Sequence, residues 1–298
     1  MGAPAFDRST LSRALYSCDA SLYRVVPEAV CVPSDIDELG AAVDRALADR
    51  LPITMRGAGT SCAGNAVGPG LVIDTRRLDR IVSFDPPAAL AEVQPGAVQS
   101  VVSAVGSEHG LRFGPDPSTA NRCTVGGMIG NNACGPRALG FGKTSEVVEG
   151  LELIAGTGER LSLRVGDDLR THPSAIVQGL HRVTMANLGV IRTEFGRFGR
   201  QVSGYALQHL LPENGFDVTR FLVGSEGTLG VVTAATVRLS HDSAHRRLVV
   251  LGYPSLAEAA DAVPSVLGLR PTACEGLDAR IVDVVRRTRQ DPSLELGA

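Results

Sequence analysis

The chain has 298 residues, room for about two domains of ~150 residues each, and 44% of them are apolar, enough for a proper core. Its net charge of -3, with Lys and Arg scattered, leaves no electrostatic footprint for nucleic acid. No run approaches ~20 apolar residues, so no transmembrane segment is expected.

Taken in chain order, residues 29–32 read as a short strand. Ser34 is placed to cap the helix that follows, in which Ile36, Leu39, Val43, Ala46 and Leu47 recur on one face. Residues 52–55 form a strand, 56–70 a glycine-rich loop and 71–74 a strand again, a β-α-β-loop-β unit. Residues 81–84 and 90–93 alternate as a paired hairpin, and Val98, Val101, Val102 and Val105 mark a short helix. A long glycine-rich loop then runs from 114 to 142. Residues 147–155 and 160–164 form a hairpin that turns at Gly156-Thr157-Gly158. Helical pattern occupies 174–200. Phe221-Leu222-Val223 reads as a strand into the turn Gly224-Ser225-Glu226-Gly227, with a strand out over 231–239. The character changes at 240–245. Beyond it come a strand at 248–251, a capping box from Ser255 and Glu258 opening a helix to about Leu267, a strand over 272–277 and a helix over 279–289. The strands of this tail would expose long unpaired edges if nothing followed, so the chain is expected to be cut inside a second domain.

The start, MGAPAFDRST, lacks the apolar stretch of a secretory signal. None of the six cysteines forms a C-x-x-C pair, which argues against zinc or cluster ligation. Free thiols in the cytoplasm, the inner face of the membrane included, are the economical reading, and no metal is expected.

The stretch TVGGMIGNNACGPRALGFGKTS ends like a P-loop, but the first glycine of that pattern falls on Arg137, and no hydrophobic strand precedes it. An ATPase or GTPase is thereby excluded. The loop MRGAGTSCAGNAVGPG offers Gly57 and Gly59 to a dinucleotide fingerprint, but Cys62 holds the third glycine's place, and the loop joins strand to strand. A Rossmann NAD site is poorly supported. Small residues at 57–61 still let backbone N–H groups converge on an anion, with Thr60 and Ser61 adding hydroxyls and Arg56 adding charge. A plain tight connection is the alternative. In the second loop Pro115-Asp116-Pro117-Ser118 makes a rigid turn, and Thr124-Val125-Gly126-Gly127 brings bare backbone close to a partner. Asn131 and Asn132 supply amides that both donate and accept, the mixture a flat ring such as an isoalloxazine requires; a long glycine-rich surface loop is the alternative. Glu226 lies between glycines; its carboxylate is expected to tie down N–H groups of its turn, with an active-site carboxylate as the alternative.

RGAGTS, PDPS followed by TVGGMIGNNACGPRALGFGKTSEVVEGLELI, and FLVGSEGTLGVVT occur in the order and approximate spacing of FAD-linked oxidases. The chain resembles that family, which has the flavin fold of vanillyl-alcohol oxidase and p-cresol methylhydroxylase. The likeness is greatest to D-lactate, glycolate and D-2-hydroxyglutarate dehydrogenases of the long bacterial type with a C-terminal iron–sulfur module. It covers about 15–240 strongly and 245–298 weakly. The resemblance implies an α+β fold: a lead-in at 1–25, an FAD-binding domain at 26–242, and the beginning of a truncated cap domain at 243–298. The FAD domain would divide into a small α/β part, 26–83, and a larger antiparallel-sheet part, 84–242. Carried over by position, Gly57, Ala58, Gly59, Thr60 and Ser61 would wrap the pyrophosphate, with Arg56 beside them. Asp116, Ser118, Thr124, Gly126, Gly127, Asn131, Asn132 and Gly135 would line the flavin and its ribityl chain. Gly230, Val231 and Val232 would close over the cofactor.

Some relatives attach FAD through a histidine in the first loop, which has none here; others use a cysteine near the start of the second, where Cys123 stands one residue off. A dissociable FAD is expected. The implied reaction takes a hydride from a D-2-hydroxy acid to flavin N5, and an iron–sulfur module, quinone or cytochrome then accepts the electrons. The histidine-rich cap stretch that supplies the base is absent here, so the base is expected beyond Ala298. Arg137 and Lys143 are weak candidates for holding a substrate carboxylate. Two alternatives stand: an FAD-holding module without turnover, and a same-fold reductase using NADPH.

Overall fold

The computed structural model describes residues 5–199 and 202–289. Helix α1 (Thr10–Leu15) buries no residue and leads into a β-α-β-loop-β unit. Strands β1 (Ala29–Cys31), β2 (Ile53–Arg56) and β3 (Leu71–Asp74) run parallel in the order β1-β3-β2. Helix α2 (Ile36–Ala48) buries Leu39, Ala42, Val43 and Ala46 against them. Its cap is Asp35, whose Oδ1 accepts the Glu38 N–H at 2.8 Å. Ser34, expected as the cap, instead donates its N–H and hydroxyl to the Glu38 carboxylate, each at 2.7 Å. The short Asp35 side chain, on extended backbone one residue later, reaches the helix first.

A five-stranded antiparallel sheet forms the rest of the core. Its strands are β4 (Ile81–Asp85), β5 (Leu90–Val93), β7 (Val148–Ala155), β8 (Arg160–Arg164) and β9 (Gly230–Arg238), in the spatial order β4-β5-β9-β7-β8. The division expected at 83/84 therefore falls inside β4, which pairs with β5 and belongs wholly to this sheet. Helix α3 (Gln99–Ser107) packs on β6 (Leu111–Arg112), and β6 pairs with β10 (Ser240–His241). Ile154 of β7 and Val231 of β9 join the cluster under α2, so one apolar core fastens the parallel sheet to the antiparallel one.

The expected loop over 114–142 contains helices α4 (Val125–Asn131) and α5 (Ala138–Phe141), with α6 (Thr144–Val147) just after it. Val125, Met128 and Ile129, spaced i, i+3, i+4, are buried in the core and drive α4, while its glycines mask that period in the sequence. The helical region after 174 resolves into α7 (Ala175–Ala186) and α8 (Leu188–Glu194). The strand expected at 221–223 is instead helix α9 (Val218–Leu222), because the Asp217 carboxylate caps it, accepting the Arg220 N–H at 2.8 Å. Helix α10 (Leu256–Leu267) opens on the Ser255–Glu258 capping box, and α11 (Ala279–Arg289) follows. Neither 248–251 nor 272–277 is a strand; among the described residues no strand pairs with either, and Leu248 is 90% exposed.

Candidate functional site

The first loop, the second loop and the turn before β9 converge on one cleft of about 570 Å³. Thr60, Gly127 and Val232, from three distant parts of the chain, all line it. Its volume falls within the ~300–1,000 Å³ usual for small-molecule sites. Arg56 and Glu226 are the charged side chains of the lining.

In the first loop the backbone N–H groups of Ala58 through Cys62 donate to no other group among the described residues. Consecutive N–H groups without partners at a cavity wall form a nest for an anion. Gly59 gives the loop its curve with φ +66°. Gly57 lies so close to Thr124 that a Cβ there would meet the threonine side chain. Arg56 closes the loop from below: Nη1 donates to Ala66 O at 3.0 Å, Nη2 to Cys18 O at 2.9 Å.

The second loop presents α4. Its first N–H groups are already taken, since Val125 donates to Ala97 O and Gly126 to Pro95 O, each at 2.8 Å, and Gly127 to Thr124 Oγ1 at 3.3 Å. The helix therefore offers the cleft bare backbone rather than a vacant N-terminus. A Cβ at Gly130 would meet only Glu226, in ordinary contact at 3.9 Å, whereas one at Gly127 would press on Thr124 Oγ1 at 3.3 Å. Asn131 Nδ2 donates to Gly127 O at 3.0 Å, which directs the amide along the helix.

Of the residues assigned from sequence, Arg56, Gly57, Ala58, Gly59, Thr60, Ser61, Ser118, Thr124, Gly126, Gly127, Asn131, Gly230 and Val232 line the cleft. Asp116, Asn132, Gly135 and Val231 do not, each for a local reason. Asp116 is turned into an ion pair with Arg137, and Gly135 packs directly on it. Asn132 adopts φ +45° and is 3% exposed; its Oδ1 accepts the Ser145 N–H at 3.0 Å. Val231 faces α2, because alternation along β9 sends Gly230 and Val232 to the opposite side. Arg137 and Lys143 are also outside the lining. Arg137 serves Asp116, and Lys143 Nζ donates to Gly199 O at 2.9 Å.

Sequence reasoning missed Pro95, Thr119, Gly130, Leu151, Leu153 and Leu222. The period-two spacing of Leu151 and Leu153 in a strand next to β9 was the available signal. Glu226 also lines the cleft, at φ +55°. The N–H groups it was expected to tie down donate to main-chain carbonyls instead: Gly224 to Ile129 O at 2.8 Å, Glu226 to Gly130 O at 2.9 Å and Thr228 to Ser225 O at 3.0 Å. The Glu226 carboxylate bonds to nothing among the described residues. Cys123 is buried in the wall, and that burial pushes its thiol pKa up. Among the described residues no cluster of His, Cys, Asp or Glu could hold a metal ion, and no helix is long and apolar enough to cross a membrane.

This arrangement, two sheets holding glycine-rich backbone around a cleft, defines an FAD-binding domain of the p-cresol methylhydroxylase type, and residues 27–164 match the FAD binding domain family. The chain therefore carries an FAD binding domain and is similar to FAD-linked hydroxy-acid dehydrogenases and oxidases. It is 30% identical to D-2-hydroxyglutarate dehydrogenase of Escherichia coli (strain K12), over 93% of this chain and 29% of that protein. It is 31% identical to glycolate oxidase subunit GlcD of Bacillus subtilis (strain 168), over 93% of this chain and 51% of the relative. It is 30% identical to D-lactate dehydrogenase of Archaeoglobus fulgidus, over 86% and 48%. The chain thus spans about three tenths to one half of the length of these relatives. The solved alkyldihydroxyacetonephosphate synthase shares the fold with a TM-score of 0.62 at 18% identity, over 90% of this chain and 45% of that one.

Proposed function

We propose that the cleft holds a dissociable FAD and that the protein oxidises a D-2-hydroxy acid of the D-2-hydroxyglutarate, D-lactate or glycolate type. The observation that carries this is the run of partnerless N–H groups from Ala58 to Cys62. Such a row suits a pyrophosphate, whose negative oxygens accept several hydrogen bonds at once. Bound there, FAD supplies the hydride acceptor; the protein's part is to place it and tune its surroundings. Thr60 and Ser61 extend the nest with hydroxyls. Gly127 and Gly130 let a flat ring approach main chain, Gly126 lets the helix pack on Pro95, and Leu151, Leu153, Leu222 and Val232 supply the apolar wall that excludes water. Arg56 contributes its charge from inside the loop it closes. The substrate's hydroxyl proton goes to a base outside this lining, which contains no histidine.

Attachment through Cys123 is disfavoured, because a buried thiol with a raised pKa supplies little thiolate. The substrate class rests on the relatives, each named for a hydroxy-acid dehydrogenase or oxidase. Electrons then pass to an iron–sulfur module, a quinone or a cytochrome.

The test is anaerobic. Protein loaded with FAD is mixed with D-2-hydroxyglutarate, D-lactate or glycolate and the flavin absorbance followed. Bleaching by one of them supports the dehydrogenase. Bound flavin that none of them bleaches supports a module without turnover, and bleaching by NADPH supports the reductase. Acid precipitation should release the flavin into solution; flavin retained in the pellet refutes the dissociable mode.

A further inference from the structure

The segment 16–25 lies outside the matched FAD-binding region, yet it is fastened along the outer side of the cofactor loop. Ala20 N–H donates to Gly59 O at 3.0 Å, the residue whose positive φ bends the loop. Cys18 O accepts from Arg56 Nη2, while the same guanidinium reaches Ala66 O at the loop's far end. Asp19 Oδ2 accepts the Ala66 N–H at 3.3 Å, and its Oδ1 accepts the Ser21 N–H at 2.8 Å. The Tyr23 ring covers Gly64. Beneath this, Arg56 stacks 5.2 Å from the Tyr16 ring centroid, and Tyr16 donates its hydroxyl to the buried Asp74 at 2.6 Å. The segment is closed on itself by Val25 N–H to Ser17 O at 2.9 Å.

The loop needs such support. Residues 58–62 spend no N–H on the protein, so inside the loop only side chains brace it: Ser61 Oγ donates to Asn65 Oδ1 and accepts the Ala63 N–H at 3.2 Å, and Arg56 reaches Ala66 O. The cost of ordering about ten backbone residues would otherwise fall on ligand binding. We propose that residues 16–23 form a strap that preorganises the pyrophosphate loop, with Asp19 a positioning residue for FAD that never touches it. Asp19 is absent from the cleft lining, while its partner Ala66 belongs to it. Arg56 is the keystone, joining loop start, loop end and strap through one planar group; lysine cannot span the two carbonyls. This inference rests on the reading that the cleft takes FAD.

The experiment uses the full chain, with Asp19→Ala, Asp19→Asn and Arg56→Lys beside wild type. FAD affinity is measured by quenching of flavin fluorescence, the melting temperature without FAD by scanning calorimetry, and loop opening by limited proteolysis. Asp19→Ala should weaken FAD about tenfold and expose 57–66 to protease in the FAD-free protein, with the melting temperature little changed. Asp19→Asn, which retains one acceptor oxygen, should recover part of the affinity. Arg56→Lys should resemble Asp19→Ala. Wild-type affinity in a folded Asp19→Ala protein overturns the strap, as does an unchanged digestion pattern. A wild-type protein that takes up no FAD overturns the cofactor reading instead.

Discussion

Gly57→Ala probes whether the first two loops form one cofactor wall. The backbone at Gly57 is outside the positive-φ region, so alanine is not strained there by its own dihedrals. What forbids it is Thr124: an added Cβ would overlap Oγ1 and lie 3.2 Å from Cβ and 3.3 Å from Cγ2. Thr124 caps α4 by accepting the Gly127 N–H. Overpacking costs about 1–3 kcal/mol, and displacing the cap adds about 1 kcal/mol. If ~2 kcal/mol of this falls on cofactor binding, FAD affinity drops about thirtyfold. Thr124→Ala alone loses only the cap. The double variant removes the overlapping oxygen and methyl, so its loss should be smaller than the sum of the single losses by at least ~1 kcal/mol, in both urea unfolding and FAD titration. Additivity within about 0.5 kcal/mol would refute the contact between the loops.

Glu226→Gly should stabilise the fold by about 1 kcal/mol in urea titration, because a φ of +55° costs glycine nothing; a stability loss would mean that the carboxylate has a partner. Val231→Ala should cost about 2 kcal/mol of stability and leave FAD affinity intact, whereas Val232→Ala should weaken FAD with the smaller stability loss. Equal effects on both measurements would contradict the facing assigned along β9. His209 is partly buried, and burial holds its imidazole pKa below 6.5, the nearby Asp217 opposing this. On acidification the unfolded chain takes up the proton first, so stability falls from about pH 6.5 down to the folded pKa. His209→Gln should flatten the fall measured between pH 7.5 and 5.5; an unchanged slope assigns it to other groups.

The elements that were legible in the sequence are those whose burial follows one simple period. The α2 stripe buries one face against one neighbour, and the strands β4, β5, β7, β8 and β9 are short apolar or alternating runs bounded by turn residues, so their patterns survive in a single line of residues. Helix α4 was hidden because its cleft side is glycine: Gly126, Gly127 and Gly130 remove half the signal while Val125, Met128 and Ile129 do the packing. Helix α9 was hidden because Val218, Phe221 and Leu222 read equally as strand or helix until the Asp217 cap is weighed.

The same reasoning separates the assigned residues that reach the cleft from those that do not. Most assignments made on main chain reach the cleft, Gly57 to Ser61, Gly126, Gly127 and Gly230 among them, whereas Gly135, packed on Asp116, and Val231, facing α2, do not. Side-chain-led assignments fail wherever a closer partner competes. Asp116 finds Arg137, Asn132 finds the Ser145 N–H, and Lys143 finds Gly199 O. A polar side chain in a glycine-rich loop has many neighbours within reach, so its type fixes what it can bond, not which bond it makes. Strand alternation resolves Val231 against Val232 only once β7 is known to flank β9. A cleft built mostly of main chain is thus readable in outline from its glycine-rich loops taken together with the family resemblance. The strap over residues 16–23 was invisible to that reading because its bonds run largely through backbone carbonyls and amides, which every residue type carries.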